Sequence, residues 1–324
     1  MKENIKLAVF GVGHLGRIHL KCLQETSFDI IGFYDPDEKL AHKVSSETNI
    51  SFFSDHHILM NQADAIDIVC TTSAHFQIAK QALESGKHVF IEKPVTSTVE
   101  EAEELMLLGE QKNVVIQVGH VERYNPVITS LKHKNYDPKF IEGHRLATFN
   151  NRGNDVSVIL DLMIHDLDLV LHLVSSEVKD IQANGVAVVN ATPDICNARI
   201  TFENGCVANL TASRISMKNM RKLRLFQNNE YISLDFLKKE AQLIKLESIT
   251  SEDSVEGMTI NTSEGKKIIS IESPEIIESN AIVGELTDFY KSITEGKEVS
   301  VSIEDGVRAL SLAHQIADKI RMSQ

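Results

Sequence analysis

The chain has 324 residues, 42% of them hydrophobic and 24% charged, with 16 Gly and only 6 Pro. At roughly 150 residues per domain this length implies about two domains, and the composition excludes collagen-like and broadly disordered classes. Lys and Arg number 33 against 46 Asp and Glu, and the resulting net charge of −13 repels nucleic acid and anionic lipid, so an anionic ligand must meet a local basic pocket.

From Ile5 to about Val118, short apolar runs alternate with helix-period segments, the pattern of βαβ units and a parallel sheet. Six strands are expected, centred on Leu7-Ala8-Val9-Phe10, Ile30-Ile31-Gly32-Phe33, Ile50-Ser51-Phe52-Phe53, Ala65-Ile66-Asp67-Ile68-Val69, Val89-Phe90-Ile91 and Val114-Val115-Ile116-Gln117-Val118. Their apolar character suits a sheet covered on both faces. Helices are expected over 15–23, with Leu15, Ile18 and Cys22 at helical spacing, and over 74–84, closed near Gly86. Another is expected over 98–111, where Thr98-Val-Glu-Glu forms a capping box.

Beyond His120 the pattern changes. Asn204-Gly205 lies between two strand-like runs, and Asn228-Asn229 marks a second hairpin, so an antiparallel sheet follows. A helix over 158–174 would cover one of its faces, and apolar residues such as Ala198, Ile200 and Phe202 are expected on a face left open for self-association. Amphipathic helices over 282–293 and 303–320, separated by Gly296-Lys297, close the chain. The expected fold is an α/β Rossmann dinucleotide-binding domain over 1–120, followed by an α+β substrate-binding and oligomerisation domain with a large, mainly antiparallel sheet over 121–324.

The four cysteines, Cys22, Cys70, Cys196 and Cys206, have no C-x-x-C spacing, so neither a metal site nor a disulfide framework is expected. No uncharged run approaches the roughly 20 apolar residues that span a bilayer. The N-terminus leads directly into its first strand with no room for a signal peptide, so the expected location is the cytoplasm.

Gly11-Val-Gly13-His14-Leu15-Gly16 follows the first strand and opens the first helix, the context in which G-x-G-x-x-G signals a dinucleotide. The three glycines allow the tight turn, the approach of pyrophosphate and close helix–strand packing, and the helix N-terminus favours the phosphate charge. Asp35 ends the second strand 19 residues past Gly16, where an acid accepts from the adenosine ribose hydroxyls and repels a 2′-phosphate. NAD is therefore expected over NADP, although Asp35 before Pro36 also reads as a turn residue. Thr71, Thr72 and Ser73 end the fourth expected strand, where their hydroxyls reach ribose or phosphate or, for Ser73, cap the next helix. His14, Leu15, His75, Glu92 and Lys93 complete the cofactor-binding candidates.

Glu92-Lys93-Pro94 follows the fifth expected strand, and Asp161-Leu-Met-Ile-His165 lies in the second half. With the glycine motif and Asp35, these segments resemble the glucose–fructose oxidoreductase, inositol dehydrogenase and MocA family over nearly the whole chain. The resemblance implies NAD-dependent oxidation of a hydroxyl, with Lys93, Asp161 and His165 catalytic. It also implies a homodimer or homotetramer. Oxidising a secondary alcohol needs a hydride acceptor and a base within hydrogen-bond reach of the hydroxyl. Lys93 and His165 both fit the base, and Asp161, four residues from His165 on one helix face, would orient the ring or bind a hydroxyl. Asp168 is an alternative partner for His165. Without the resemblance, Lys93-Pro94 also reads as a solvated turn and Asp161/His165 as a surface pair. Many relatives carry glycines just before the Asp, where this chain has Val156-Ser-Val-Ile-Leu160.

Gly119-His120-Val-Glu-Arg123-Tyr124-Asn125-Pro126 is similar to a segment of those members of the family that oxidise UDP-N-acetylglucosamine or related nucleotide sugars, with Tyr124 in place of Phe. His120, Arg123, Tyr124 and Asn125, with Arg152, Lys93, Asp161 and His165, are the substrate-binding candidates, and Arg145 and Arg214 would add positive charge. Such arginines also commonly form structural ion pairs. The expected activity is oxidation of a nucleotide sugar, such as UDP-N-acetylglucosamine or its uronate, at position 3. A free-sugar or inositol dehydrogenase is one alternative, and a cofactor-sensing regulator without catalysis is another.

Overall fold

The computed structural model describes residues 4–149, 156–249 and 258–322. The chain divides into two compact units, the first formed by Met1–Tyr124 with Ser279–Ser311 and the second by Asn125–Glu278 with Leu312–Gln324. The division expected at residue 120 therefore differs from the observed one: the first unit recruits a segment more than 150 residues downstream.

In the first unit β1 (Lys6–Phe10), α1 (His14–Leu23), β2 (Asp29–Tyr34), α2 (Glu38–Thr48), α3 (His56–Gln62), β3 (Ala65–Ile68), α4 (Thr72–Glu84), β4 (His88–Glu92), α5 (Val99–Lys112) and β5 (Ile116–Gly119) follow in order. The five strands are parallel in the order β2-β1-β3-β4-β5. The third expected strand is a correction. Residues 50–53 run beside β2 through Phe33 N–H to Ser51 O and Phe53 N–H to Phe33 O, both 3.0 Å, but form only one bridge, Phe33 to Phe52. Asp55 ends this segment by capping α3 through His57 N–H. The Thr98/Glu101 capping box of α5 is present, with each side chain accepting from the other residue's helix-start backbone.

Short α6 (Pro126–Thr129), β6 (Phe140–Leu146) and a π-helical turn (Ile159–Met163) that leads into α7 (Ile164–Leu173) open the second unit. Next come β7 (Val178–Val186), β8 (Ile195–Phe202), β9 (Val207–Ser213), β10 (Met220–Gln227), β11 (Glu230–Asp235), β12 (Glu240–Ser248), β13 (Met258–Thr262) and β14 (Gly265–Glu272). They make a nine-stranded sheet, antiparallel except for β6 beside β9. Both expected hairpins form, with Gly205 at φ +84° and Asn229 at φ +56°. The expected open apolar face is a second correction: Ala198, Ile200 and Phe202 are fully buried in one core with Leu167 and Val170 of α7 and Leu312 and Ile316. The opposite face of β8 and β9 is polar, with Asn197 donating to Thr211 and Arg199 to Asn209.

α8 (Ala281–Glu295) closes the first unit, and α9 (Ile303–Met322) begins in the first unit and ends in the second. α8 stops at Gly296, which holds φ +64°. Its Leu286, Phe289 and Tyr290 join Leu20 and Leu23 of α1, with Phe28 and Phe90, in the core on one face of the parallel sheet.

Candidate active site

The carboxyl ends of β1, β2 and β3 surround a cleft of about 490 Å³, a size suited to a small-molecule ligand. Gly11, Gly13, His14, Leu15, Asp35 and Thr71 line it, so six of the cofactor-binding candidates meet there. Gly11 holds φ +99°, and a Cβ on it would lie 2.6 Å from the Cys70 Cα. A Cβ on Gly16 would lie 2.0 Å from the Gly11 carbonyl oxygen, so only glycine lets α1 start this close to the turn. Gly13 is different: a Cβ there meets no protein atom within 4 Å, and its missing side chain leaves open cleft.

No side chain caps α1 at Gly13, so its first backbone N–H groups remain for a phosphate. The Asp35 carboxylate fixes the turn, accepting from Val12 N–H at 2.8 Å and Asp37 N–H at 2.9 Å. Each of its oxygens keeps a second acceptor site. Thr71, not Ser73, is the N-cap residue of α4, and it makes no side-chain cap; its hydroxyl lies 3.4 Å from that of Ser73. Thr72 is the first residue of that helix and is half-buried. This glycine turn, uncapped helix end and acid fit a dinucleotide.

Lys93 and Pro94 follow β4 and are joined by a cis peptide. Two expected cofactor ligands instead hold this turn. His75, 1% exposed, places Nδ1 3.0 Å from the Pro94 carbonyl and Nε2 3.2 Å from that of Cys70. Burial holds its pKa below the usual histidine value despite those two carbonyls. Glu92 is buried and accepts from the Lys93 N–H at 3.0 Å, while its other oxygen lies 3.3 Å from His19 Nε2. Sequence reasoning missed His19, Asp67 and Glu285, which surround Glu92. An acid in the middle of the apolar run Ala65-Ile66-Asp67-Ile68 was the available signal.

Three expected substrate ligands have structural partners. Arg123 is 5% exposed at the side chain and lies 3.4 Å from Asp305. Tyr124 donates to Asp288 at 2.7 Å and accepts from Gln117; burial first, and the Asp288 charge second, push its phenol far above the usual range. Asn125 caps α6 through Val127 N–H at 3.1 Å. His120 is buried just past β5. Arg152 lies outside the described residues.

In the second unit Asp161 sits inside the π-helical turn and His165 just after it. The expected uninterrupted α-helix is corrected here, because the Ile164 N–H reaches back five residues to the Ile159 carbonyl. Such single π turns recur at functional sites. Asp161 and His165 are partly exposed, whereas Asp166 and Asp168 are buried. Asp166 is committed to Arg145 in a two-pronged pair of 2.7 and 3.1 Å, and Arg214 donates to the Val156 carbonyl at 2.7 Å. Both arginines therefore have structural work.

A dinucleotide cleft on a parallel sheet, a Lys-Pro turn beside it and a second, antiparallel-sheet unit define an NAD-binding oxidoreductase. The comparisons agree: residues 5–120 match the oxidoreductase family with an NAD-binding Rossmann fold and residues 128–229 its C-terminal domain, and the chain belongs to the GFO/IDH/MocA family. It is similar to the UDP-N-acetylglucosamine 3-dehydrogenase of Acidithiobacillus ferrooxidans, 34% identical over 97% of this chain and 96% of the relative. A solved structure of that enzyme aligns with a TM-score of 0.89 at 32% identity, covering 98% of both chains. The NAD-dependent scyllo-inositol 2-dehydrogenase of Bacillus subtilis is 26% identical over 67% of this chain and 69% of the relative. Among the described residues, no helix is long and apolar enough to cross a membrane.

Proposed function

We propose that this enzyme oxidises a ring hydroxyl of a nucleotide sugar, with UDP-N-acetylglucosamine or its uronate, at position 3, as the leading substrate. The observation that carries this reading is the 34% identity to a UDP-N-acetylglucosamine 3-dehydrogenase through both units. Bound in the cleft, a nicotinamide dinucleotide supplies the hydride acceptor. The Gly11–Gly16 turn and the α1 N-terminus would hold its phosphates, and Asp35 its adenosine ribose, which favours NAD over NADP. Lys93 or His165 takes the hydroxyl proton, and Asp161 orients the ring or the substrate. The supporting features are the strand-end position of Lys93 and the partial exposure of Asp161 and His165. A cytoplasmic location and self-association fit this reading; the latter rests on the family resemblance and not on an open apolar sheet face.

The test measures NADH formation from nucleotide sugars, their uronates, free sugars and inositols, and repeats the best pair with NADP. UDP-N-acetylglucosamine or its uronate should give the highest kcat/KM, and equal or faster turnover with NADP would refute the role given to Asp35. Inositol or free-sugar oxidation is the second reading. One observation favours it: Arg123, Arg145 and Arg214 are engaged by protein groups, and a neutral polyol needs no arginine pocket. Faster turnover of an inositol, without measurable UDP binding, would establish it. Lys93→Ala and His165→Ala should each lower kcat by about 10²–10⁴ with NAD affinity nearly intact. Full activity in either variant removes that residue from the chemistry.

A further inference from the structure

Beneath the Lys93 turn lies a cluster of ionisable side chains that no step above uses. His19 on α1, Asp67 on β3 and Glu285 on α8 are each 0% exposed, and Glu92 at the end of β4 is 6% exposed. Four separate elements thus deliver three carboxyl groups and one imidazole to a dry interior, where an unmatched charge is costly.

The geometry limits where the protons sit. His19 Nδ1 lies 3.0 Å from Asp67 Oδ2, and Nε2 lies 3.3 Å from Glu92 Oε1, close for an ion pair although poorly aligned for a hydrogen bond. A neutral imidazole carries one N–H and one lone pair, so one carboxylate would face a lone pair; an imidazolium offers N–H to both. One side-chain atom each of His19, Glu92 and Glu285 fall within 4.8 Å of one another. Neither Glu285 oxygen has a hydrogen-bond partner among the described residues. A third carboxylate charge there would face the Glu92 charge at close range with no donor on either of its own oxygens, so Glu285 is the member that keeps its proton.

We infer that His19 is a positioning residue: an imidazolium gripped by Asp67 that fixes the Glu92 carboxylate, which in turn holds the Lys93 backbone, with Glu285 as the neutral acid of the cluster. The inference rests on the proposed role of Lys93 only for its catalytic consequence. Glu92 has little room to move, because a Cβ on the adjacent Gly119 would lie 2.7 Å from its Oε1. His75 holds the next carbonyl, that of Pro94, so the turn is pinned on both sides.

The electrostatics agree with this arrangement. Burial alone would lower the His19 pKa, but Asp67 and then Glu92 outweigh it and hold it well above the usual value. Burial raises Asp67, with His19 opposing, whereas His19 and Lys93 overcome burial at Glu92 and keep it ionised. Burial and the Glu92 charge both raise Glu285 well above the carboxylate range. Cys22 on α1 also senses the cluster, through the His19 charge.

The test is nitrogen NMR of the full chain with labelled histidine. One of its signals, identified by its loss in His19→Gln, should still show the doubly protonated imidazolium shifts at a pH where an ordinary histidine is neutral. If His19→Gln does not fold, Glu92→Gln identifies the signal by moving it, since a glutamine amide can donate to Nε2 and releases the second proton. A neutral His19 ring at that pH overturns the inference. So does one equivalent of a divalent metal in the native protein that is lost on substituting Glu285, because the cluster would then be a metal site. In kinetics, Glu92→Gln should lower kcat about tenfold or more while the KM for NAD changes less than about threefold. An unchanged kcat would refute the link to Lys93. If instead Lys93→Ala is fully active while the NMR result stands, the catalytic role of Lys93 has failed and the cluster has not.

Discussion

The two sheets of this molecule treat buried polarity in opposite ways. In the nine-stranded sheet, alternation sorts β8 cleanly into an apolar face, Cys196, Ala198, Ile200 and Phe202, and a polar face, Asn197, Arg199 and Thr201. In the five-stranded sheet both faces are covered, yet Asp67, Glu92 and Gln117 occupy buried strand positions that packing alone would give to aliphatic residues. A local departure from the packing rule, placed where strands end beside a cleft, is a mark of function.

Each prediction tests this contrast, the largest first. In the second unit the one buried ion pair described, Arg145 with Asp166, is treated as structural. Arg145→Ala should therefore cost about 3–5 kcal/mol by urea denaturation, by stranding a buried carboxylate, without changing NAD affinity. In the first unit Gly16→Ala pushes a Cβ onto the Gly11 carbonyl and should cost about 1–3 kcal/mol while also weakening NAD binding, which fluorescence titration would detect. Loss of stability with unchanged NAD affinity would mean that the turn does not shape the cleft.

A pH-dependent effect comes next. Burial would raise the Asp194 carboxyl, but N–H groups of Val189, Asn190 and Val188 outweigh it and hold its pKa well below the usual value. A group lowered on folding contributes stability above its unfolded pKa, about 3.9, and loses it as pH falls through the lower folded value. Asp194→Asn should thus be less stable than the parent at pH 7, with the gap closing towards pH 2–3 in thermal melts. The smallest effect belongs to the polar sheet face. Arg199→Ala removes one exposed bond to Asn209 and should change stability by no more than about 0.5 kcal/mol. A larger loss, dependent on protein concentration, would show that this face is covered by another copy.

Much of the cofactor half was readable because its signals are local. Three glycines and Asp35 lie within 25 residues, Gly11, Gly13 and Asp35 line one cleft, and both hairpins announced themselves through their turn residues. What could not be read depends on distant partners. Arg123 and Tyr124 look like ligand-binding groups until Asp305 and Asp288, more than 160 residues away, take them up. Ile50 to Phe53 has strand composition, but the edge position beside β2 gives it one bridge only. The π turn at Ile159–Met163 carries the same apolar spacing as an α-helix, so only the Ile164 hydrogen bond reveals it. Asp67 is the exception: its incongruity is visible in the strand, while nothing in the sequence around His19 marks it as the partner.

That α8 belongs to the first unit has a consequence for the order of events at the ribosome. When residue 120 has emerged, Phe28, Phe90 and the apolar side of α1 still lack Leu286 and Phe289, which are translated about 160 residues later. At elongation rates of about 5–20 residues per second, that face waits roughly 8–30 s. A nascent or truncated chain ending near residue 120 therefore leaves this apolar face uncovered, and the cluster around Glu92 is completed only once Glu285 has been made.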